Sequence, residues 1–347
     1  MIEVLKGAKK HIHLEYYIFN EDEIGVTLGE VLREKAQERV KVRFLYDALG
    51  SNLSRKFIKK LENGGVEVPP FNKIYFQFFA NRVNYRDHRK IIIVDGSTAF
   101  TRGINVADKY INKEGNKVYW RDTHLMIKGD AVFYLQYLFL SSWIFTGEKM
   151  VSIDESYFPK ADDFSQHELV QIAASGSDTR PIIMQSTVSM ISSAKTSLFI
   201  TTAYFISTES VLFAIKNAAL SGVEVRIIVS YKSDSILVNA AAFSYFTDIL
   251  DPGAKIYQYK KGFVHAKTII VDGEASIVGT ANMEIRSYEL NFEVNAIVYD
   301  KKVSSTLKND FLQDLGDCDE IDAEKWANRS RYKQFFELLA RLLSPLL

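Results

Sequence analysis

The feature that most constrains this chain is a motif that occurs twice. Asp87-His88-Arg89-Lys90-Ile91-Ile92-Ile93-Val94-Asp95-Gly96 returns as Val264-His265-Ala266-Lys267-Thr268-Ile269-Ile270-Val271-Asp272-Gly273. Each copy is a β-branched run closed by Asp-Gly, a strong hairpin signal, and a second strand-like run follows at 97–101 and 274–278. On a strand, residues two apart share a face, so His88 with Lys90, and His265 with Lys267, each present a titratable imidazole beside a fixed cation. Asn105 and Asn282 follow the two Asp-Gly pairs at the same offset. A duplicated His, Lys and Asn set points to one site built from two halves.

The duplication extends beyond the motif. Ala8-Lys9-Lys10 leading into 11–19 matches Ala194-Lys195-Thr196 leading into 197–205. A helical pattern over 23–38 and a strand over 40–46 match a helix over 207–220 and a strand over 223–229. Segments 64–68 and 253–257 supply another strand in each half, and the last strands fall at 123–127 and 294–299. Alternating strand, helix and strand predicts parallel βαβ units with hairpin strands added at the motif. The predicted fold class is therefore α/β, with two pseudo-twofold-related α/β/α sandwich repeats and the active site at their interface. The first repeat is expected over 1–165 and the second over 166–325, with a basic amphipathic helix over 326–347. Segment 148–177 reads as a linker plus an edge strand.

With 347 residues there is length for two domains with separate cores. Lys plus Arg and Asp plus Glu both total 43, so no global basic excess favours a nucleic-acid partner. Cys318 is the single cysteine, which excludes an intrachain disulfide and a Cys-based metal site and fits a cytosolic environment. No run reaches the roughly 18 apolar residues of a membrane span. The nearest, 131–145, is broken by Gln136, Ser141 and Ser142, and is expected to pack against the core or between domains.

His-x-Lys-x4-Asp with a trailing Gly and Asn resembles the signature of the phospholipase D superfamily, in its two-motif branch. The segments at 14–19, 84–90, 120–124 (Trp-Arg-Asp-Thr-His) and 286–293 (Arg-Ser-Tyr-Glu-Leu-Asn-Phe-Glu) are similar to those of bacterial cardiolipin synthases, from about residue 5 to the C-terminus. Members of that family usually carry hydrophobic N-terminal segments ahead of the point where this chain starts. The resemblance implies phosphatidyl transfer between two phosphatidylglycerol molecules through a phosphohistidine, with His88 as nucleophile and His265 as general acid and then base. Residues alone leave the two histidines interchangeable. Lys90, Lys267, Asn105 and Asn282 would surround the phosphoryl oxygens, with Gly103 and Thr280 counted beside them, and no metal or other cofactor is needed. The motif aspartates Asp95 and Asp272 belong with the catalytic set by resemblance, although the Asp-Gly turn gives them a sufficient local role.

Each imidazole also needs an acceptor on its second nitrogen. Aligning the last strands sets Asp122 opposite Glu293 and His124 opposite Asn295. The resemblance, in which a carboxylate at this point hydrogen-bonds the motif histidine, implies that Asp122 orients His88 and Glu293 orients His265. His11, His13, His124 and His167 have no repeated counterpart and read as core or surface residues. Where the second half has Gly279, the first has Arg102 followed by Gly103. With a two-residue loop at Asp95-Gly96, residue 94 pairs with 97 and Arg102 points away from the His88 face.

The implied partners are phospholipids, phosphatidylglycerol and cardiolipin, and an anionic membrane surface, with an oligomer possible. The expected location is the cytoplasmic face of a bacterial cell membrane. From Trp326 onward, Arg329, Arg331, Lys333 and Arg341 share a helical pattern with Phe335, Phe336, Leu338, Leu339, Leu342 and Leu343, which fits either an anionic bilayer or a packed terminal helix. Three rival functions remain: a lipid hydrolase or another phosphatidyltransferase; a nucleic-acid phosphodiesterase using the local cluster Arg82, Arg86, Arg89 and Lys90; and a lipid-binding scaffold with a dead site.

Overall fold

The computed structural model describes residues 1–71, 86–147, 151–153, 155–160, 168–176, 180–232 and 235–346. The chain forms two compact units, Met1–Asn116 with His124–His167, and Lys117–Thr123 with Glu168–Leu347. His167 and Arg82 lie outside the described residues, as does much of 148–177.

The first unit contains α1 (Ile2–Lys6), β1 (His11–Tyr16), α2 (Glu23–Gln37), β2 (Lys41–Asp47), α3 (Arg55–Asn63), β3 (Pro70–Phe71), β4 (Lys90–Val94) and β5 (Thr98–Arg102). After β6 (Tyr119–Arg121), which belongs to the second unit, come β7 (His124–Lys128) and α4 (Ala131–Phe145). The sheet runs β3-β2-β1-β4-β5-β7, parallel between β1 and β2 and antiparallel around β4. Strand periodicity sorts β1 between two layers. Ile12, Leu14 and Tyr16 join Leu28 and Leu32 of α2 in one core. His11 and His13 meet Gln136 of α4, and Glu15 meets Ser142. Of the three polar residues that interrupt the apolar run of α4, Gln136 and Ser142 are thus its contacts to buried polar groups, and Ser141 bonds back to the Tyr137 carbonyl. The strand expected over 64–68 is reduced to one bridge, Glu67 to Arg43, with pairing resumed at β3.

The second unit repeats this plan. Its strands are β8 (Leu169–Ser175), β9 (Ser197–Thr202), β10 (Phe205–Ile206), β11 (Glu224–Ser230), β12 (Lys255–Tyr259), β13 (Gly262–Val264), β14 (Thr268–Val271), β15 (Ala275–Gly279), β16 (Met283–Glu284), β17 (Glu293–Tyr299) and β18 (Cys318–Glu320). Its helices are α5 (Ile182–Ser192), α6 (Glu209–Leu220), α7 (Ile236–Leu250), α8 (Ile285–Glu289), α9 (Lys301–Asp314), α10 (Ala323–Ala327) and α11 (Arg331–Leu342). The order β18-β12-β11-β9-β14-β15-β17-β8 contains the first sheet's order in full, with an added strand at each edge. Leu198 and Ile200 face the core under α5 to α7, while Phe199 stacks on Phe311 of α9 at 5.0 Å on the opposite side. Each unit is an α/β/α sandwich.

Both hairpin loops are three residues long, not two. Val94 pairs with Thr98 and Val271 with Ala275. The reason is that the turn aspartate is engaged elsewhere. Asp95 donates its amide to the His11 carbonyl, and its carboxylate accepts from the amides of Lys9, Lys10 and His11 at 2.7–3.0 Å. Asp272 does the same for Ser197 and the amides of Lys195, Thr196 and Ser197. The expected pairing of residue 94 with 97 is therefore replaced by Val94 with Thr98, a shift of one residue along β5.

Candidate active site

In each unit the motif lysine is buried and donates to the carbonyl of the histidine two residues before it. Lys90 Nζ lies 2.7 Å from His88 O, and Lys267 Nζ 2.5 Å from His265 O. Burial lowers the Lys267 ammonium to about 8, although Asp122, Glu293 and Glu284 favour its charge. His88 packs its ring edge-on to Tyr17 at 4.8 Å. The flanking Asp87 and Arg89 are buried, and Arg89 Nη1 donates to Ser142 Oγ at 3.1 Å and sits 3.9 Å from Glu15. Burial raises the Asp87 carboxyl well above the usual range, helped by repulsion from Glu15 and opposed by Arg89. Arg89 and Lys90, two members of the local basic cluster, are buried and engaged.

The carboxylate assignment differs from expectation. Asp122 Oδ2 lies 2.9 Å from Nδ1 of His265, the ring for which Glu293 was expected. Strand β6 explains this: 119–121 leave the first sheet and pair in parallel with β13, directly before His265. The Arg121 carbonyl then accepts from the His265 amide at 2.7 Å and the Ala266 amide at 3.2 Å. Trp120 stacks on Phe263 at 4.7 Å. Since a carboxylate only accepts, Nδ1 carries the proton. Burial pushes the Asp122 carboxyl up, but the His265 hydrogen bond and the Lys267 charge outweigh it and hold it below its ordinary value.

Glu293 is fully buried, accepting from Thr280 Oγ1 at 2.5 Å and Asn291 Nδ2 at 3.3 Å. Thr280, expected beside the phosphoryl group, thus holds the Glu293 carboxylate. Asn282 donates to Glu284 at 3.0 Å, and its Oδ1 is buried with no hydrogen-bond partner. Asn105 accepts from the Ile18 amide at 3.3 Å, and Gly103 is buried just after β5. Asp95 and Asp272 hold backbone amides at the turn, seven residues from their histidines and roughly 20 Å away along an extended strand. His11 and His13 are core residues, burial holding His13 well below its ordinary value, and His124 is exposed.

Sequence reasoning missed Arg121, Asp314 and Glu284. Arg121 and Asp314 were invisible because their pairing spans 193 positions. Glu284 could have been found from its place two residues after the motif Asn282. Among the described residues, no group of three or more His, Cys, Asp or Glu side chains is arranged to hold a metal ion.

Two sheets with the same strand order, each carrying a His-x-Lys hairpin, define the phospholipase D fold. The crystal structure of phosphatidylserine synthase from Haemophilus influenzae Rd KW20 shares it, with a TM-score of 0.72 at 15% identity over 100% of this chain and 92% of that one. The family described as "Cardiolipin synthase, PLD-like domain" matches residues 1–132 and 187–315, and the chain belongs to it. Cardiolipin synthase of Halalkalibacterium halodurans is 46% identical over 99% of this chain and 69% of its own length. That of Geobacillus kaustophilus is 45% identical, again over 99% and 69%.

Proposed function

We propose that this chain is a cardiolipin synthase that moves a phosphatidyl group from one phosphatidylglycerol to a hydroxyl of a second, releasing glycerol. The observation that carries the reading is the Asp122–His265 pair beside a buried motif lysine, within a family of that activity. His88 attacks phosphorus, forming an N–P bond as the P–O bond to glycerol breaks, and His265 Nε2 gives that oxygen its proton. The acceptor hydroxyl then loses its proton to His265 and attacks, and the N–P bond breaks. Lys90 and Lys267 supply fixed positive charge to the phosphoryl oxygens, with Asn105 and Asn282 beside them. Because Asp122 stabilises an imidazolium at His265, it suits the step in which the ring carries two protons.

The substrate lies in a bilayer, and α11 is the surface proposed to meet it. The helix packs on α7 around buried Ala340, with Arg341 paired to Asp248 of α7 at 2.8 Å, while Arg329, just ahead of the helix, pairs with its buried Glu337 at 2.7 Å. Two of the four expected cations thus face the protein. Tyr332, Phe335, Phe336, Leu338, Leu339 and Leu342 are exposed, with Arg331 and Lys333 exposed among them. An outward apolar face with flanking cations fits an anionic leaflet. Among the described residues, no helix is long and apolar enough to cross a membrane.

Incubating the protein with phosphatidylglycerol in detergent and following products by mass spectrometry tests the reading. Cardiolipin with free glycerol supports it. Phosphatidic acid with glycerol and no cardiolipin would make the chain a hydrolase, and no product at all would favour a scaffold.

A further inference from the structure

We infer that Arg121, clamped to Asp314 of α9, is a positioning residue that sets Asp122 against His265. The inference rests on the acid–base role proposed for His265. Pairing of β6 with β13 ends at Arg121 opposite Val264, so the carboxylate-bearing residue lies one position beyond the last ladder partner. Beyond that point the Arg121 guanidinium takes over. Its Nη1 donates to the Asp122 carbonyl at 2.6 Å and to Thr123 Oγ1 at 2.9 Å, gripping the chain at Asp122 and at the residue after it. Its Nε meets both oxygens of Asp314 at 2.9 Å, and Nη2 lies 4.0 Å from Asp310.

The anchor is rigid because α9 is seated on the sheet by its own apolar contacts, Phe311 stacked on Phe199 among them. Arg121 and Asp314 are only 17% and 12% exposed, so the pair is largely desolvated, and such pairs contribute geometry more dependably than net stability. A planar fork reaches a carboxylate and a carbonyl at once, whereas an ammonium at the end of a flexible chain does not hold both directions. Among the described residues, the ionisable groups around this assembly include Lys267, Glu284 and Glu293 beside Asp122 and His265, and Asp310, Asp317 and Tyr259 beside Arg121 and Asp314.

The test is the titration of His265 in the full chain by histidine-labelled NMR, assigned with His265→Gln, beside pH profiles of turnover. Asp122→Asn should lower the His265 midpoint by about 1 pH unit or more, since a neighbouring carboxylate favours the charged ring. Arg121→Lys keeps the charge and loses the fork. It should lower the midpoint in the same direction, reduce kcat about tenfold or more with little change in KM, and add nothing in the Asp122→Asn background. Arg121→Gln should lower the midpoint too, although loss of a nearby cation by itself would raise it. A midpoint unchanged in Arg121→Lys, or raised in Arg121→Gln, overturns the inference. So does loss of fold in both Arg121 variants while Asp122→Asn stays folded, which would make the clamp purely architectural. If His265→Ala retained transfer, the mechanism would fail, yet the titrations would still decide what Arg121 does.

Discussion

Replacing Lys267 by methionine should stabilise the protein near neutral pH while removing most of its activity. The ammonium is buried, and burial lowers it from 10.5 to about 8. A gap of about 2.5 pH units corresponds to about 3 kcal/mol of unfavourable charge burial when the side chain is protonated in both folded and unfolded states. Methionine removes that cost and also the hydrogen bond to the His265 carbonyl, a loss of about 1 kcal/mol, leaving a net gain of about 2 kcal/mol at pH 7. The sign reverses with pH. Below 8 the whole penalty is present; between 8 and 10.5 the folded wild type releases the proton while the unfolded chain keeps it. Wild-type stability therefore rises across that window relative to the variant, and the advantage of methionine disappears. Urea denaturation of both proteins at pH 7, 8.5 and 10 measures the difference, in which all other titrations cancel. Turnover of the variant should fall on the order of 10²-fold or more, because a fixed donor is lost from a dry site. A variant less stable than wild type at pH 7, with a gap that does not change by pH 10, would refute the reasoning.

His88→Ala and His265→Ala should each abolish transfer, and the double variant should be no worse than either single one, since the two rings act in one reaction; rapid-quench analysis of His88→Asn should find no acid-labile phosphoenzyme. Activity should survive EDTA, and loss on chelation reversed by one divalent ion would contradict the lysine-based account. Gly279→Ala should cost about 2 kcal/mol or more in a thermal melt, because its Cβ would sit 2.0 Å from Asn295 Oδ1 and 2.5 Å from the Val294 carbonyl oxygen. Removing 326–347 should weaken co-sedimentation with anionic vesicles, and the salt-sensitive part should be near 2 kcal/mol, about 1 for each of Arg331 and Lys333. Equal binding by both forms across a salt series would remove α11 from the membrane role.

The repeat made most of the architecture legible, because β-branched runs, helical periods and Asp-Gly turns recur at matching offsets in both copies. What stayed hidden depended on partners distant in sequence. Asp-Gly announces a hairpin, but its loop length was set by the amides of 9–11 and 195–197, which draw each turn aspartate out of the ladder. Repeat alignment placed Asp122 and Glu293 at equivalent strand positions, and β5–β7 and β15–β17 keep that register at Arg102–His124 and Gly279–Asn295. Alignment says nothing about which sheet a short excursion joins, so it assigned Asp122 to the wrong histidine. The periodicity of 326–347 was equally real and equally silent about direction: Arg329 and Arg341 turned inward because Glu337 and Asp248 were there to receive them.

The excursion at 117–123 also sets a schedule for synthesis. Tyr119 leaves the ribosome 143 residues before its partner Gly262, so at usual elongation rates β6 waits roughly 10–30 s for the strand it must join. During that interval the nascent first repeat carries an unpaired strand bearing Tyr119 and Trp120, open to mispairing with other chains. Severing the gene between the repeats would make the condition permanent. The amino-terminal fragment would keep an orphan strand, and the carboxy-terminal fragment would fold around a histidine with no carboxylate to hold it. The two repeats look like interchangeable copies in sequence, but the molecule cannot be inherited, expressed or swapped as two independent modules without carrying those seven residues across the cut.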